Sequence, residues 1–293
     1  MKLLSFGEIV WDLYPDAKAL GGASLNLAAH AALLGADAEL WSAVGDDELG
    51  REAIEEIKAL GVGVGMITTV KDKPTGRCCV TVDGQGIPSY DLLADAAYDY
   101  MLSDAPDRDF DVLAYGTLAL RGESNKRLIG ELLQKKQFPE IYTDLNLRAP
   151  FYDRESIELC LSNATTVKIS SEELPALMNE IGAGYTSAED SAVTLSDIYP
   201  KIRLILITKG DEGAFCYCTR ERSFHHCKAR AVTVSSTVGA GDSFGAAFLV
   251  GFFEGRGIGG ALSLASDISG FVVSRKEAVP LDMREFLNST LKV

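Results

Sequence analysis

The run Thr237-Val238-Gly239-Ala240-Gly241-Asp242-Ser243-Phe244 places two glycines and an acid at the entry to an apolar helical segment. Glycines leave the backbone uncovered, and successive N–H groups at a helix start converge on an anion with help from the helix dipole. A carboxylate inside such a nest repels the anion that it would hold. That conflict gives Asp242 a task of its own, such as taking a proton from a nucleophile attacking a bound phosphate. The plainer reading is a helix start closed by Gly and Asp, both common there. Spacing alone leaves both readings open.

Rival chemistries fail on residue order or context. No Gly-Lys-Ser/Thr occurs, which removes the usual P-loop. Gly255-x-Gly257-x-x-Gly260 has dinucleotide-fingerprint spacing but follows a Phe-rich helical run instead of a strand, so it reads as a chance match. Gly241-Asp242-Ser243-Phe244-Gly245 fits the nucleophile elbow, which needs a histidine after the serine. His30, His225 and His226 all precede Ser243, and the hydrolase reading fails. Cys218, His225, His226 and Cys227 can be drawn as a zinc cluster. However, Cys216 and Cys218 are one residue apart where zinc sites space them more widely, so these thiols read as small, partly buried hydrophobes.

The elements that must position this chemistry alternate along the chain. A strand at 3–10, a helix at 23–34, a strand at 39–44 and a helix at 47–60 come first. Two β-like runs, 75–82 and 89–93, flank Asp83-Gly84-Gln85-Gly86, a hairpin signal. Strands at 112–114, 141–144, 166–169 and 204–208 then interleave with helices at 124–136, 154–160 and 187–198. A hairpin-rich stretch at 214–226 and helices at 241–253 and 260–274 close the chain. Short apolar strands alternating with helices predict an α/β fold: a three-layer, mostly parallel sheet with helices on both faces. Residues 1–293 are expected to form one such domain, with a small β lid from about 13–20 and 75–93.

Composition narrows the partners. The 293 residues carry 28 basic and 42 acidic side chains, a net charge of −14, with 47% hydrophobic and 24% charged residues. This is globular composition, and its acidity argues against a nucleic-acid or membrane-surface partner, both of which need a basic face. One small anionic ligand needs only a local positive site. No apolar run reaches the roughly 18 residues of a spanning helix. The first residues lack signal-peptide character, and six cysteines are too few for a disulfide framework, so a cytoplasmic location is expected.

Two tracts carry a family resemblance. Gly21-Gly22-Ala23-Ser24-Leu25-Asn26-Leu27-Ala28 through Gly45-Asp46-Asp47-Glu48-Leu49-Gly50 resembles the first signature of the ribokinase-type sugar kinases, and 237–244 resembles their second. Gly7-Glu8-Ile9-Val10-Trp11-Asp12 and Tyr115-Gly116-Thr117-Leu118-Ala119-Leu120-Arg121 are similar to the fructokinase branch. The resemblance runs from the first strand to the C-terminal helices.

It implies a ribokinase-like fold and an ATP-dependent kinase acting on a primary hydroxyl of a monosaccharide, foremost the 6-hydroxyl of fructose. Alternatives are 2-keto-3-deoxygluconate, a nucleoside, or a catalytically silent sugar-binding regulator. By resemblance Asp12, Gly21, Gly22 and Asn26 hold the sugar, where a carboxylate and an amide suit vicinal hydroxyls; Asn26 could instead cap its helix. Asp242 matches the general base, and Gly239, Ala240 and Gly241 match the anion hole. Arg148, in the tract 144–148, matches the cation at the phosphate end. Thr208, Gly210 and Gly213 match the nucleotide loop, Lys168 is assigned to the nucleotide as well, and Glu173 to magnesium. Sugar and ATP are the implied partners, Mg²⁺ the implied metal, and a homodimer through the lid is open. Ser170 and Ser236 stand where the family has asparagine and an acid, and Glu277-Ala278 replaces its late Gly-Ala turn. Potassium activation is accordingly expected to be weak.

Overall fold

The computed structural model describes residues 1–82, 88–102 and 106–290. Strands are β1 (Lys2–Phe6), β2 (Val10–Leu13), β3 (Lys18–Gly21), β4 (Asp37–Gly45), β5 (Gly63–Val70), β6 (Gly76–Val82) and β7 (Pro88–Leu92). They continue as β8 (Val112–Gly116), β9 (Glu140–Asp144), β10 (Thr166–Ser170), β11 (Leu204–Thr208), β12 (Ala214–Cys218) and β13 (Ser223–Cys227). Helices α1 (Ala23–Leu33), α2 (Glu48–Ala59), α3 (Glu123–Lys135), α4 (Arg154–Leu161) and α5 (Leu174–Glu180) precede α6 (Ala188–Ile198), α7 (Ala240–Phe253), α8 (Gly257–Val273) and α9 (Met283–Thr290).

The main sheet runs β13-β12-β11-β10-β9-β8-β1-β4-β5. Its pairs are parallel except β11 with β12 and β12 with β13, which form an antiparallel edge. Neighbouring residues of one strand point to opposite faces. Leu3 accordingly joins a core with Leu25, Ala28, Phe248 and Ala265 from α1, α7 and α8. Leu4 and Phe6 join the other core, with Trp41, Ile129, Ile157 and Leu177. The sheet is therefore apolar on both faces, as the continuous apolar strands predicted.

A second sheet, in the order β3-β2-β6-β7, stands apart from the first. Trp11, buried in its β2, donates its indole N–H to Leu49 O at 3.0 Å and so ties this sheet to α2. β6 and β7 pair antiparallel from Cys78↔Leu92 to Val82↔Pro88. The Asp83-Gly84-Gln85-Gly86 turn signal itself lies outside the described residues.

Two strands differ from the sequence-based expectation. The apolar run at 3–10 is two strands, because the chain leaves the main sheet after Phe6 and Val10 opens the second sheet. The break falls at Gly7-Glu8, where a Cβ on Gly7 would lie 1.8 Å from the Ser24 hydroxyl. β5 went unpredicted because it is an edge strand with no fully buried position. The glycines at 255 and 257, both with positive φ, connect α7 to α8 and form no nucleotide turn. Among the described residues no helix is long and apolar enough to cross a membrane.

Candidate active site

The carboxyl ends of the parallel strands meet the starts of α1 and α7, and open α/β sheets take ligands at such edges. β3 delivers Gly21 and Gly22 into α1. Gly22 has φ +116°, and a Cβ there would sit 2.4 Å from Glu8 O, so only glycine fits. A Cβ on Gly21 would lie 3.9 Å from Asp12 Oδ2 and 4.0 Å from Asn26 Oδ1, so these two side chains converge over the Gly21 backbone. Burial raises the Asp12 carboxyl.

Asn26 does not cap its helix. Its Nδ2 crosses to α7 and donates to Asp242 Oδ2 at 2.8 Å, while its buried Oδ1 has no protein partner. Asp242 is pushed up to about 7, first by burial and then by the charge of Asp144; the Asn26 donor and the Lys168 charge oppose the rise. Such a carboxylate is basic enough to accept a proton near neutrality.

Below the α7 start lies a buried ion pair. Lys168, in the middle of β10 and 5% exposed, puts Nζ 2.7 Å from Asp144 Oδ2 at the end of β9. Burial opposes the lysine charge, but Asp144, Asp242 and Glu173 outweigh it and hold the ammonium above its usual range. A Cβ on Gly241 would lie 3.0 Å from Nζ, so this cation sits directly against the nest. Asp144 Oδ1 is buried with no protein donor.

Gly239 precedes α7 in the left-handed region, φ +79°, and a Cβ there would lie 2.6 Å from Ala278 O. The Ala240 N–H turns back on Thr237 O at 3.3 Å. By helix geometry, the N–H groups of Gly241 and Asp242 come before the first intrahelical partner and are the nest's outward donors. His30 of α1 contacts the same corner, with Nε2 2.8 Å from Ala278 O. A carbonyl only accepts, so Nε2 carries the proton.

On the far side, Thr208 ends β11 opposite Ser170 of β10. Gly210 and Gly213 have φ of +58° and +99°, and a Cβ on Gly213 would meet Cys227 O at 2.1 Å. Glu173 Oε2 accepts from both the N–H and the hydroxyl of Ser170, each at 3.0 Å. Ser236 Oγ accepts the Val238 N–H at 3.2 Å, closing the loop before the nest. Arg148 is exposed on the loop after β9, and among the described residues its guanidinium has no ion pair.

The structure therefore gathers Asp12, Gly21, Gly22, Asn26 and Asp242 on one side and Lys168 with the nest at the centre. Thr208, Gly210, Gly213 and Glu173 lie at neighbouring strand ends, and Arg148, exposed on the loop after β9, brings its charge to bear on Asp144. Sequence reasoning assigned Lys168 to the nucleotide without its Asp144 partner and gave Glu8 no role. The signals for Glu8 were its place in the tract similar to the fructokinase branch and its position between Phe6-Gly7 and Ile9-Val10-Trp11, an apolar context in which a charge is costly to bury without partners.

Comparison with known proteins identifies the family. Residues 6–283 match the model of the pfkB family of carbohydrate kinases. A probable fructokinase of Arabidopsis thaliana is 26% identical over 95% of this chain and 93% of its own length. Another, chloroplastic, is 30% identical over 84% of this chain and 69% of its own. Among solved structures, the Xylella fastidiosa fructokinase with bound ATP superposes with a TM-score of 0.85 at 20% identity, covering 100% of this chain and 99% of that one. The Salmonella enterica aminoimidazole riboside kinase, at 24% identity, superposes with a TM-score of 0.82 over 99% of this chain and 100% of its own. The family model covers nearly the whole chain, and the chain belongs to the pfkB family of carbohydrate kinases.

Proposed function

We propose that the protein transfers the γ-phosphoryl of ATP to a primary hydroxyl of a monosaccharide, with the 6-hydroxyl of fructose as acceptor. The observation that carries this reading is the Asn26–Asp242 hydrogen bond, which joins the hydroxyl-binding side chains to the acid of the anion nest. Asp12 and Asn26 Oδ1 accept from sugar hydroxyls over the bare Gly21-Gly22 backbone. Asp242 takes the proton of the attacking hydroxyl. The Gly239-Ala240-Gly241 turn, with Lys168 against it, faces the charge of the moving phosphoryl.

The residues present fit a nucleotide and a metal. Gly210 and Gly213 leave backbone uncovered at the end of β11, and Thr208 adds a hydroxyl. Glu173 and the unpartnered Asp144 Oδ1 are carboxylate oxygens of the kind that hold Mg²⁺ through water. When bound, Mg²⁺ neutralises phosphate charge. Arg148 supplies an exposed cation from the loop edge. Ser236 lacks the carboxylate that a monovalent cation would use, so potassium raises the rate little.

The second sheet acts as the lid over the sugar. Its outer strands β3 and β7 are edges open to pairing, which suits a lid-to-lid homodimer. Six free thiols suit a reducing, cytoplasmic compartment.

Fructose is favoured over the other sugars by the fructokinase relatives that cover most of the chain. An ADP-release assay across ketoses, aldoses, 2-keto-3-deoxygluconate and nucleosides tests the reading. Fructose should give the highest kcat/KM. Another preferred acceptor would replace the substrate, and no acceptor-dependent ADP release would reject the kinase in favour of a silent sugar-binding protein.

A further inference from the structure

We propose that Glu8 is a positioning residue: its buried carboxylate anchors the start of α1 and thereby holds Asn26 on Asp242. The inference rests on the kinase reading above for its catalytic consequence, but its geometry stands alone. Glu8 lies just after β1 and is 3% exposed. Its Oε1 accepts the Ala23 N–H at 2.7 Å, and its Oε2 faces the Ser24 hydroxyl at 3.4 Å.

α1 has no side-chain cap of its own, because the residue before it is Gly22. Gly22 must be glycine, since a Cβ there would meet Glu8 O at 2.4 Å and Glu8 Cγ at 3.4 Å. The close approach that forbids a local cap thus brings in a cap from the segment just after β1. A carboxylate is the fitting group, because the first N–H groups of a helix are unpaired and carry partial positive charge. Two hydroxyl contacts brace the joint: Ser5 Oγ donates to Ser24 O at 2.7 Å, and Ser24 Oγ donates to Phe6 O at 3.2 Å.

The consequence reaches the reacting carboxylate within one helical turn. Asn26 closes that turn, with its N–H on Gly22 O at 2.8 Å, and its side chain spans to Asp242. If the first turn shifts, the amide leaves the base, and the sugar loses both Asn26 and the Gly21-Gly22 backbone. Nucleotide contacts on β10 and β11 are untouched. Glu8 therefore acts on the sugar side and, through its charge, on the Asp242 carboxyl, which it helps to raise.

The test uses the full chain. Glu8→Ala removes the acceptor, Glu8→Gln keeps an amide oxygen for the Ala23 N–H, and Ala23→Pro removes the donor at the first helical position, where proline is tolerated. Misplacement by an ångström costs on the order of 100-fold. We expect Glu8→Ala and Ala23→Pro each to lower kcat/KM for the best sugar at least about tenfold by that scale, with KM for ATP changed less than about twofold. Their combination should be no worse than either alone, and Glu8→Gln should recover activity to within about threefold of wild type.

A merely structural role would lower the melting temperature and the active fraction while leaving the sugar KM of the folded enzyme unchanged. That result, or normal sugar kinetics in Ala23→Pro, overturns the proposal. So does a Glu8→Gln as impaired as Glu8→Ala, which would mean that the charge itself is needed. If Glu8→Ala does not fold, Ala23→Pro and Glu8→Gln decide. If wild type phosphorylates no acceptor, the kinase reading fails on its own, and amide hydrogen exchange decides the anchor. Protection of the Asn26 N–H falling about tenfold or more in Ala23→Pro, with protection of Ala23 and Asn26 kept in Glu8→Gln, sustains it, and unchanged Asn26 protection in Ala23→Pro ends it.

Discussion

Asp242 is a charge that its surroundings oppose and its chemistry requires. Burial and the charge of Asp144 push it up to about 7, whereas an ordinary aspartate is at 3.8. In a general base this sets the acidic limb of the rate profile, so kcat/KM should fall below about pH 7 and level off above it. Asp242→Asn should lower kcat by a factor on the order of 10²–10⁴ and abolish that limb, with ATP affinity within a few-fold. A variant keeping more than about a tenth of the wild-type rate would mean that another group takes the proton.

The same carboxylate makes a prediction on stability. A raised carboxyl binds its proton more tightly folded than unfolded, so its contribution falls as pH rises from 3.8 to about 7. Asp242→Asn should therefore melt higher than wild type at pH 8, by a few degrees on the scale of about 2–4 °C per kcal/mol, and show no gain near pH 3.5. Thermal melts at both values check this. Asn26 keeps an acceptor in the variant, so the buried amide is not stranded.

At the scale of elements, α1 and the turn before α7 share one corner. His30 Nε2 donates to Ala278 O, and Gly239 lies against Ala278. Burial lowers the His30 imidazole from 6.5 to about 4, so it is neutral in the folded protein at neutral pH. The unfolded chain takes up the proton first as pH falls, and stability is lost across the window from 6.5 to about 4. His30→Gln should flatten the melting temperature across that window relative to wild type, because glutamine donates without titrating. Gly239→Ala should be worse than a simple left-handed strain of about 1–2 kcal/mol, since its Cβ meets a backbone carbonyl that cannot rotate away. We expect it to raise KM for ATP more than KM for sugar, measured in the same assay.

At the scale of the whole molecule, the proposed lid role requires the second sheet to close over the sugar and exclude water. Water is a competing phosphoryl acceptor, and closure suppresses that reaction. Trp11 ties the lid sheet to α2 through its N–H on Leu49 O. Trp11→Phe keeps an aromatic ring and removes this bond, worth about 1 kcal/mol. It should raise sugar KM and the ratio of ATP hydrolysis to sugar phosphorylation. A lower melting temperature with both kinetic quantities unchanged would make the sheet a structural edge only. Sedimentation at several concentrations would show whether the open lid edges pair two chains.

Much of this was legible along the chain, because the deciding forces are local. Alternating apolar strands and helices encode a sheet buried on both faces. Gly239 and Gly241 before an apolar helix suit an anion nest as well as a plain helix start, and Gly21-Gly22 leave a bare backbone. The run Leu3 to Val10 misled because apolarity says that a segment is buried but not in which sheet. Asn26 and Asp242 are 216 residues apart, and nothing local to either one shows that the amide lies on the acid. Lys168 and Asp144 read as separate polar residues until adjacent parallel strands set them side by side. Glu8 could be recognised as a buried acid, but its partner is a backbone N–H, which every residue type except proline carries and no sequence pattern marks. Pattern determined the fold class, and the resemblance of two tracts to a known family supplied the candidate site residues. Which groups touch, and so how basic Asp242 is, was decided by the packing of α1 and α7 onto the strand ends, where burial turns short distances into large electrostatic effects.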